Sequence, residues 1–208
     1  MNNLPKWKKY QKMLHDGGSA LDLGFSRQAH IEGNLTRANA RYRVAKSFQK
    51  VVLDDYTTST VDGYSALMRA FLVHSALERY VRVLNPKDNK ICKKALYISS
   101  RNEAKQLSKI ILKLDNKKRF YRFILSFSDK PYMKQDLTNF YEKKEHNPVC
   151  LLASIRHIFV HGHLTPNVDG INPKKVKKIC DLLSNFFLEQ IENDFKSRVL
   201  LAQKEQTK

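Results

Sequence analysis

Residues 61–84 constrain the fold more than any other stretch of the chain. Leu67, Ala70, Val73, Leu77, Tyr80, Val81 and Leu84 recur at intervals of three and four, the spacing that aligns one face of an α-helix. A helix with so apolar a face must be covered by other elements. The other periodic segments share the helical period. The spacing predicts a helix over 35–55 with Val44, Ala45, Phe48, Val51 and Val52 inside. A third starts near Asn102 with Leu107, Ile110, Ile111 and Leu114 inside; it is interrupted at 116–119 and resumed by Phe120, Phe123, Ile124 and Phe127. A short helix over 132–145 precedes helices over 149–161 and 173–199, the last burying Val176, Ile179, Cys180, Leu183, Phe186, Phe187 and Ile191. No stretch alternates apolar and polar residues as a half-buried strand does. The expected fold class is all-α, a bundle of about five long helices.

Prolines and glycines set the boundaries. Asn85-Pro86, Lys130-Pro131 and Asn147-Pro148 break helices, because the residue before proline avoids helical dihedrals. Pro173 suits a first helical turn. Residues 1–34 read as a short basic helix, 4–15, followed by a connector that holds Gly17, Gly18, Gly24 and Gly33. These glycines lack the GxxxxGK and GxGxxG spacings that cradle phosphates. The composition predicts a mobile connector, with Trp7 and Leu14 packed on the body rather than on a membrane surface. Residues 35–200 form the bundle and 201–208 a polar tail.

The chain carries 38 Lys+Arg against 20 Asp+Glu, a formal net charge of +18. Such a field favours a polyanionic partner, nucleic acid before an acidic membrane surface. Residues 85–145 hold 16 Lys/Arg against 7 Asp/Glu, half of the excess. Within them Lys105, Lys109 and Lys113 repeat every fourth residue and form a candidate track for a phosphate backbone. Lys174, Lys175, Lys177 and Lys178 crowd the start of the last helix, where the dipole disfavours cations; this points to an external anion. Cys92, Cys150 and Cys180 are far apart, with no CxxC pair. That pattern predicts reduced thiols in a cytosol, with no disulfide frame and no zinc site; no cofactor is expected. No secretory signal is evident and no run of about 18 apolar residues exists, so a cytoplasmic location and no membrane are expected.

Chemistry concentrates in residues 153–164, Ala-Ser-Ile-Arg-His-Ile-Phe-Val-His-Gly-His-Leu. Ile155, Ile158 and Phe159 form a buried stripe. Gly162 is where the helix stops, since glycine turns left-handed at no Cβ cost. Arg156 and His161 are five positions apart, so they point about 140° apart and flank one face. His161 falls where the dipole favours a cation. Arg156 is a permanent, forked phosphate donor. An imidazole beside a guanidinium suits a phosphodiester. The spacing alone is weak: Arg69 and His74 repeat it inside the apolar helix. His74, Glu78 and Arg82 are spaced by four and make one polar stripe. It is either an internal salt-bridge ladder or a set of residues that orients Arg156 or His161.

Arg156, a polar residue, three mostly apolar residues and His161, in an all-helical chain, resemble the HEPN superfamily signature of Arg, four to six residues, His. The run Ser75-Ala76-Leu77-Glu78, within residues 70–80, is similar to the long helix that precedes the signature in that family. The resemblance covers residues 35–200. It implies a bundle that dimerises, with two signatures meeting at the interface. Many members are metal-independent RNases; others are inactive binding or signalling modules. His163 also fits the spacing, with six residues between it and Arg156. His161 is favoured, because four residues with a polar one after Arg is the commoner form. His157 is that polar residue.

The expected activity is therefore metal-independent cleavage of RNA. The 2′-hydroxyl attacks the adjacent phosphate, His161 moves protons and Arg156 stabilises the phosphate charge. A homodimer would double a sparse Arg–His pair. An antitoxin-like or regulatory partner is compatible with this activity, in a toxin–antitoxin or antiviral setting. The alternative is a non-catalytic module that binds nucleic acid or protein.

Overall fold

The computed structural model describes residues 2–27, 33–84, 101–167 and 170–206. Among them every regular element is helical: α1 (Trp7–His15), a 3-10 turn (Ala20–Leu23), α2 (Asn34–Ser47), α3 (Thr58–Leu84), α4 (Arg101–Leu114), α5 (Arg119–Ser126), α6 (Pro131–Tyr141), α7 (Pro148–Val160) and α8 (Pro173–Gln206). The described residues are all-α, as the periodicity predicts. Asn85-Pro86, Cys92 and Asp169 lie outside the described residues. No helix among the described residues is long and apolar enough to cross a membrane.

The most apolar segment is also the central one. α3 packs against α2, α7 and α8. Leu67, Ala70, Val73, Leu77, Tyr80 and Val81 are all buried. The Tyr80 hydroxyl, fully enclosed, donates to Asp194 at 2.6 Å, and Arg198 Nε donates to the same carboxylate at 2.7 Å. Burying a hydroxyl without a partner would cost about 1–3 kcal/mol, so this network lets α3 and α8 share a tyrosine inside the core.

α2 is shorter than its apolar residues suggest. Leu35, Ala38, Tyr42 and Ala45 form its buried face. Val44 is nine residues from Leu35, half a turn away by helical geometry, and is 55% exposed. The helix ends at Ser47, and Phe48 is already extended (φ −65°, ψ 125°). Val52, expected inside, is 83% exposed on the following loop.

The described part of the glycine-rich connector is packed. Leu23 and Phe25 are buried. Ser19 and Asp22 form a capping box around the 3-10 turn. Arg198 of α8 donates to the Leu23 carbonyl at 3.1 Å and lies 5.2 Å from the centre of the Phe25 ring. Trp7 meets Phe195 with ring centres 5.7 Å apart. Trp7 is buried and Leu14 packs against the core, as expected.

The loop after α7 is fixed by a close approach. A Cβ placed on Gly63 would lie 2.4 Å from Pro166 Cβ. Only a glycine in α3 lets the buried Pro166 seat against the helix.

Candidate functional site at the end of α7

α7 is well defined at both ends. The Asn147 side chain accepts from the Val149 amide and Pro148 occupies the first turn. At the other end His161 is the C-cap and Gly162 is left-handed (φ 76°). The His163 amide donates to Ile158 O at 3.0 Å and the Gly162 amide to Phe159 O at 3.0 Å, the paired bonds of a Schellman stop. This stop presents His161 and His163 to solvent while Ile155 and Ile158 stay in the core.

Two of the residues singled out in the sequence, His74 and His157, interact with the charge of Arg156. His74 is buried on α3, and its charge interacts with that of Arg156 across the α3–α7 contact. Burial chiefly, and then Arg156, lower the His74 imidazole to about 4 against an opposing pull from Glu78. Glu78 in turn pairs with Arg82 at 2.7 Å. The polar stripe of α3 is thus an ion pair at one end and a neutral imidazole beside Arg156 at the other. His157 and His161 lie edge to face, with ring centres 4.5 Å apart. The half-buried His157 is lowered by burial first, then by His161, Lys130 and Arg156, against Asp129. Its Nε2 is buried and has no hydrogen-bond partner among the described residues. His163 stacks on Phe127 with ring centres 4.8 Å apart.

Sequence spacing missed Phe127, Asp129 and Lys130. They arrive from the turn between α5 and α6, where Lys130-Pro131 reads only as a helix break. It also gave His157 a minor place, although its ring meets that of His161 and feels the charges of both His161 and Arg156. Among the described residues no group of three His, Cys, Asp or Glu could hold a metal ion. Cys150 and Cys180 are buried free thiols.

The predicted lysines lie elsewhere and in two groups. Lys105 and Lys109 line one hollow, while Lys113 faces solvent outside it. Lys174 and Lys177 line another, with Ser59, Asp62 and Pro173. Part of the crowding at the start of α8 is answered internally. Lys177 pairs with Asp181 at 2.8 Å, and Asn172 accepts from the Lys174 amide at 2.9 Å. Arg69, on the long apolar helix, borders a polar hollow of about 320 Å³ with Asp62, Lys177 and Asp181.

Against known proteins, the chain matches no family model, no curated protein and no solved structure.

Proposed function

We propose that the chain is a metal-independent endoribonuclease of HEPN type. The observation that carries this reading is the His157–His161 pair beside Arg156 at the end of α7, in a chain of net charge +18. Two imidazoles in one chain can divide the work of base and acid. His157, whose neutral form is favoured, takes the proton of the RNA 2′-hydroxyl on Nδ1, since its Nε2 is buried. The 2′-oxygen attacks phosphorus, and the bond to the 5′-oxygen breaks. His161, the more exposed ring, protonates that leaving oxygen. Arg156 bears the charge that grows on the phosphoryl oxygens, and buried, neutral His74 adds no repulsion beneath it. Phe127 and His163 offer a stacking surface for an unpaired base.

The products are a 2′,3′-cyclic phosphate and a 5′-hydroxyl. DNA, without the 2′-hydroxyl, binds but is not cut. A dimer that joins two signatures remains part of this reading, although the imidazole pair removes the chemical need for a second chain. A silencing partner of antitoxin type would cover the exposed end of α7. The test is an RNA in which each 2′-hydroxyl is methylated. It should bind and resist cleavage, whereas cleavage of that strand would rule out 2′-oxygen attack.

A second reading is a non-catalytic module that binds RNA. The separation of the α4 and α8 lysines from the imidazoles favours it, because charge placed there serves affinity without serving the reaction.

A further inference from the structure

Three aromatic rings form a row where the end of α5 meets the end of α7. Phe123, on α5, packs against the core. Phe127 leans on it, with ring centres 4.9 Å apart and planes 50° from parallel. His163 covers Phe127, with centres 4.8 Å apart and planes within 21° of parallel. Exposure rises along the row: Phe123 is half-buried, Phe127 is 36% exposed and His163 is exposed. The row is thus anchored in the bundle at one end and open to solvent at the other.

The backbone holds both outer rings. The amides of His163 and of the buried Leu164 donate to Ile158 O at 3.0 and 3.2 Å. Next to Phe127, Ser128 is fully buried and its hydroxyl donates to Ile124 O at 2.8 Å. A ring held in this way has little freedom left to lose when another ring covers it. The row also borders the imidazole pair. His163 is two residues from His161, and Asp129 and Lys130, which follow Phe127 in the same turn, act on the charge of His157.

We propose that His163, backed by Phe127, selects the substrate: its open face takes the base of a nucleotide that flanks the cut bond, which confines cleavage to bonds beside an unpaired base and favours a purine there. This inference rests on the cleavage reading. A base inside a duplex has both faces covered by its neighbours, so only an unstacked base can lengthen the row. Every base has a π-face, which makes the contact tolerant of sequence, and stacking strength sets the remaining preference. A purine covers the imidazole more fully than a pyrimidine does. His163, which the spacing from Arg156 admits as a catalytic residue, is thereby assigned to binding, with one ring face on Phe127 and the other on the substrate.

The experiment titrates the full chain into a short 2′-O-methylated RNA with 2-aminopurine at its centre, a base whose fluorescence is quenched by stacking. The variants are His163→Ala and His163→Phe, which restores a flat ring at an exposed position. Wild type and His163→Phe should quench the probe. His163→Ala should not, and its affinity should fall by about ten-fold, within the range of one base–aromatic stack. Strands with adenine at the centre should bind more tightly than strands with uracil. On unmodified RNA, His163→Ala should raise KM by about ten-fold and leave kcat unchanged. Quenching by His163→Ala equal to that of wild type overturns the proposal, and so does equal affinity for adenine and uracil strands. The two readings separate: quenching that depends on the ring, with unmodified RNA left intact, supports the stack and removes the cleavage reading, whereas cleavage without quenching removes the stack alone.

Discussion

The His157 and His161 rings meet edge to face with centres 4.5 Å apart, at the last turn of α7. The contact follows from the i, i+4 neighbour relation on a helix. It supplies two imidazoles where the Arg–His spacing supplied one.

His74 makes stability depend on pH. Its folded value is lowered from 6.5 to about 4, mainly by burial. The unfolded chain therefore binds more protons than the folded one between these values. Stability from this group is present above pH 6.5 and is lost as pH falls toward 4. The full effect is about 3 kcal/mol. Urea unfolding of wild type and of His74→Leu at pH 4.5 and pH 7 checks this: the wild type should lose more stability on acidification than the variant. His74 also touches Arg156 in charge, so His74→Leu is expected to alter activity as well.

Gly63→Ala should destabilise the fold. The new methyl lies 2.4 Å from Pro166 Cβ, so the loop must move. Overpacking of this kind costs about 1–3 kcal/mol, against a helix gain of about 0.5–1 kcal/mol. Replacing Pro166 by Gly in the Gly63→Ala background should recover part of the loss. Additive losses in the double variant would mean that the two residues do not meet.

Binding of single-stranded RNA should weaken steeply with salt, because lysine–phosphate contacts release counterions. Lys174, Lys175 and Lys178 are exposed, whereas Lys177 is paired with Asp181. Changing the three exposed lysines to Ala should reduce the slope of log K against log salt by about 2. Lys177→Ala should change it less. A slope equal to wild type in the triple variant would place the RNA elsewhere.

Much of the fold was legible because each helix repeats its own apolar period. The α3 stripe is buried in full or in part, from Leu67 to Leu84, and the breaks at Lys130-Pro131 and Asn147-Pro148 fall at helix starts. Val44 and Val52 misled because β-branched residues are apolar wherever they point; the phase of Leu35, Ala38 and Tyr42 decides the face. The candidate site was legible only along α7. Asp129 and Phe127 reach it by tertiary packing of a turn, and His74 by the crossing of α3. The Phe127–His163 stack joins the α5–α6 turn to the loop after α7, and no spacing within one element encodes such a meeting.

The most direct measurement is RNA cleavage in EDTA by wild type, His157→Ala, His161→Ala, His163→Ala and Arg156→Ala, with RNA binding measured on the same samples. Loss of an acid or base typically costs 10²–10⁴-fold. Wild type should cut RNA without metal. His157→Ala, His161→Ala and Arg156→Ala should each lose cleavage by at least about 100-fold, and the two histidine variants should bind RNA as wild type does. His163→Ala should retain cleavage. Undiminished cleavage in both His157→Ala and His161→Ala, or intact RNA with wild type freed of any partner, would contradict the assignment of the α7 end as a nuclease site.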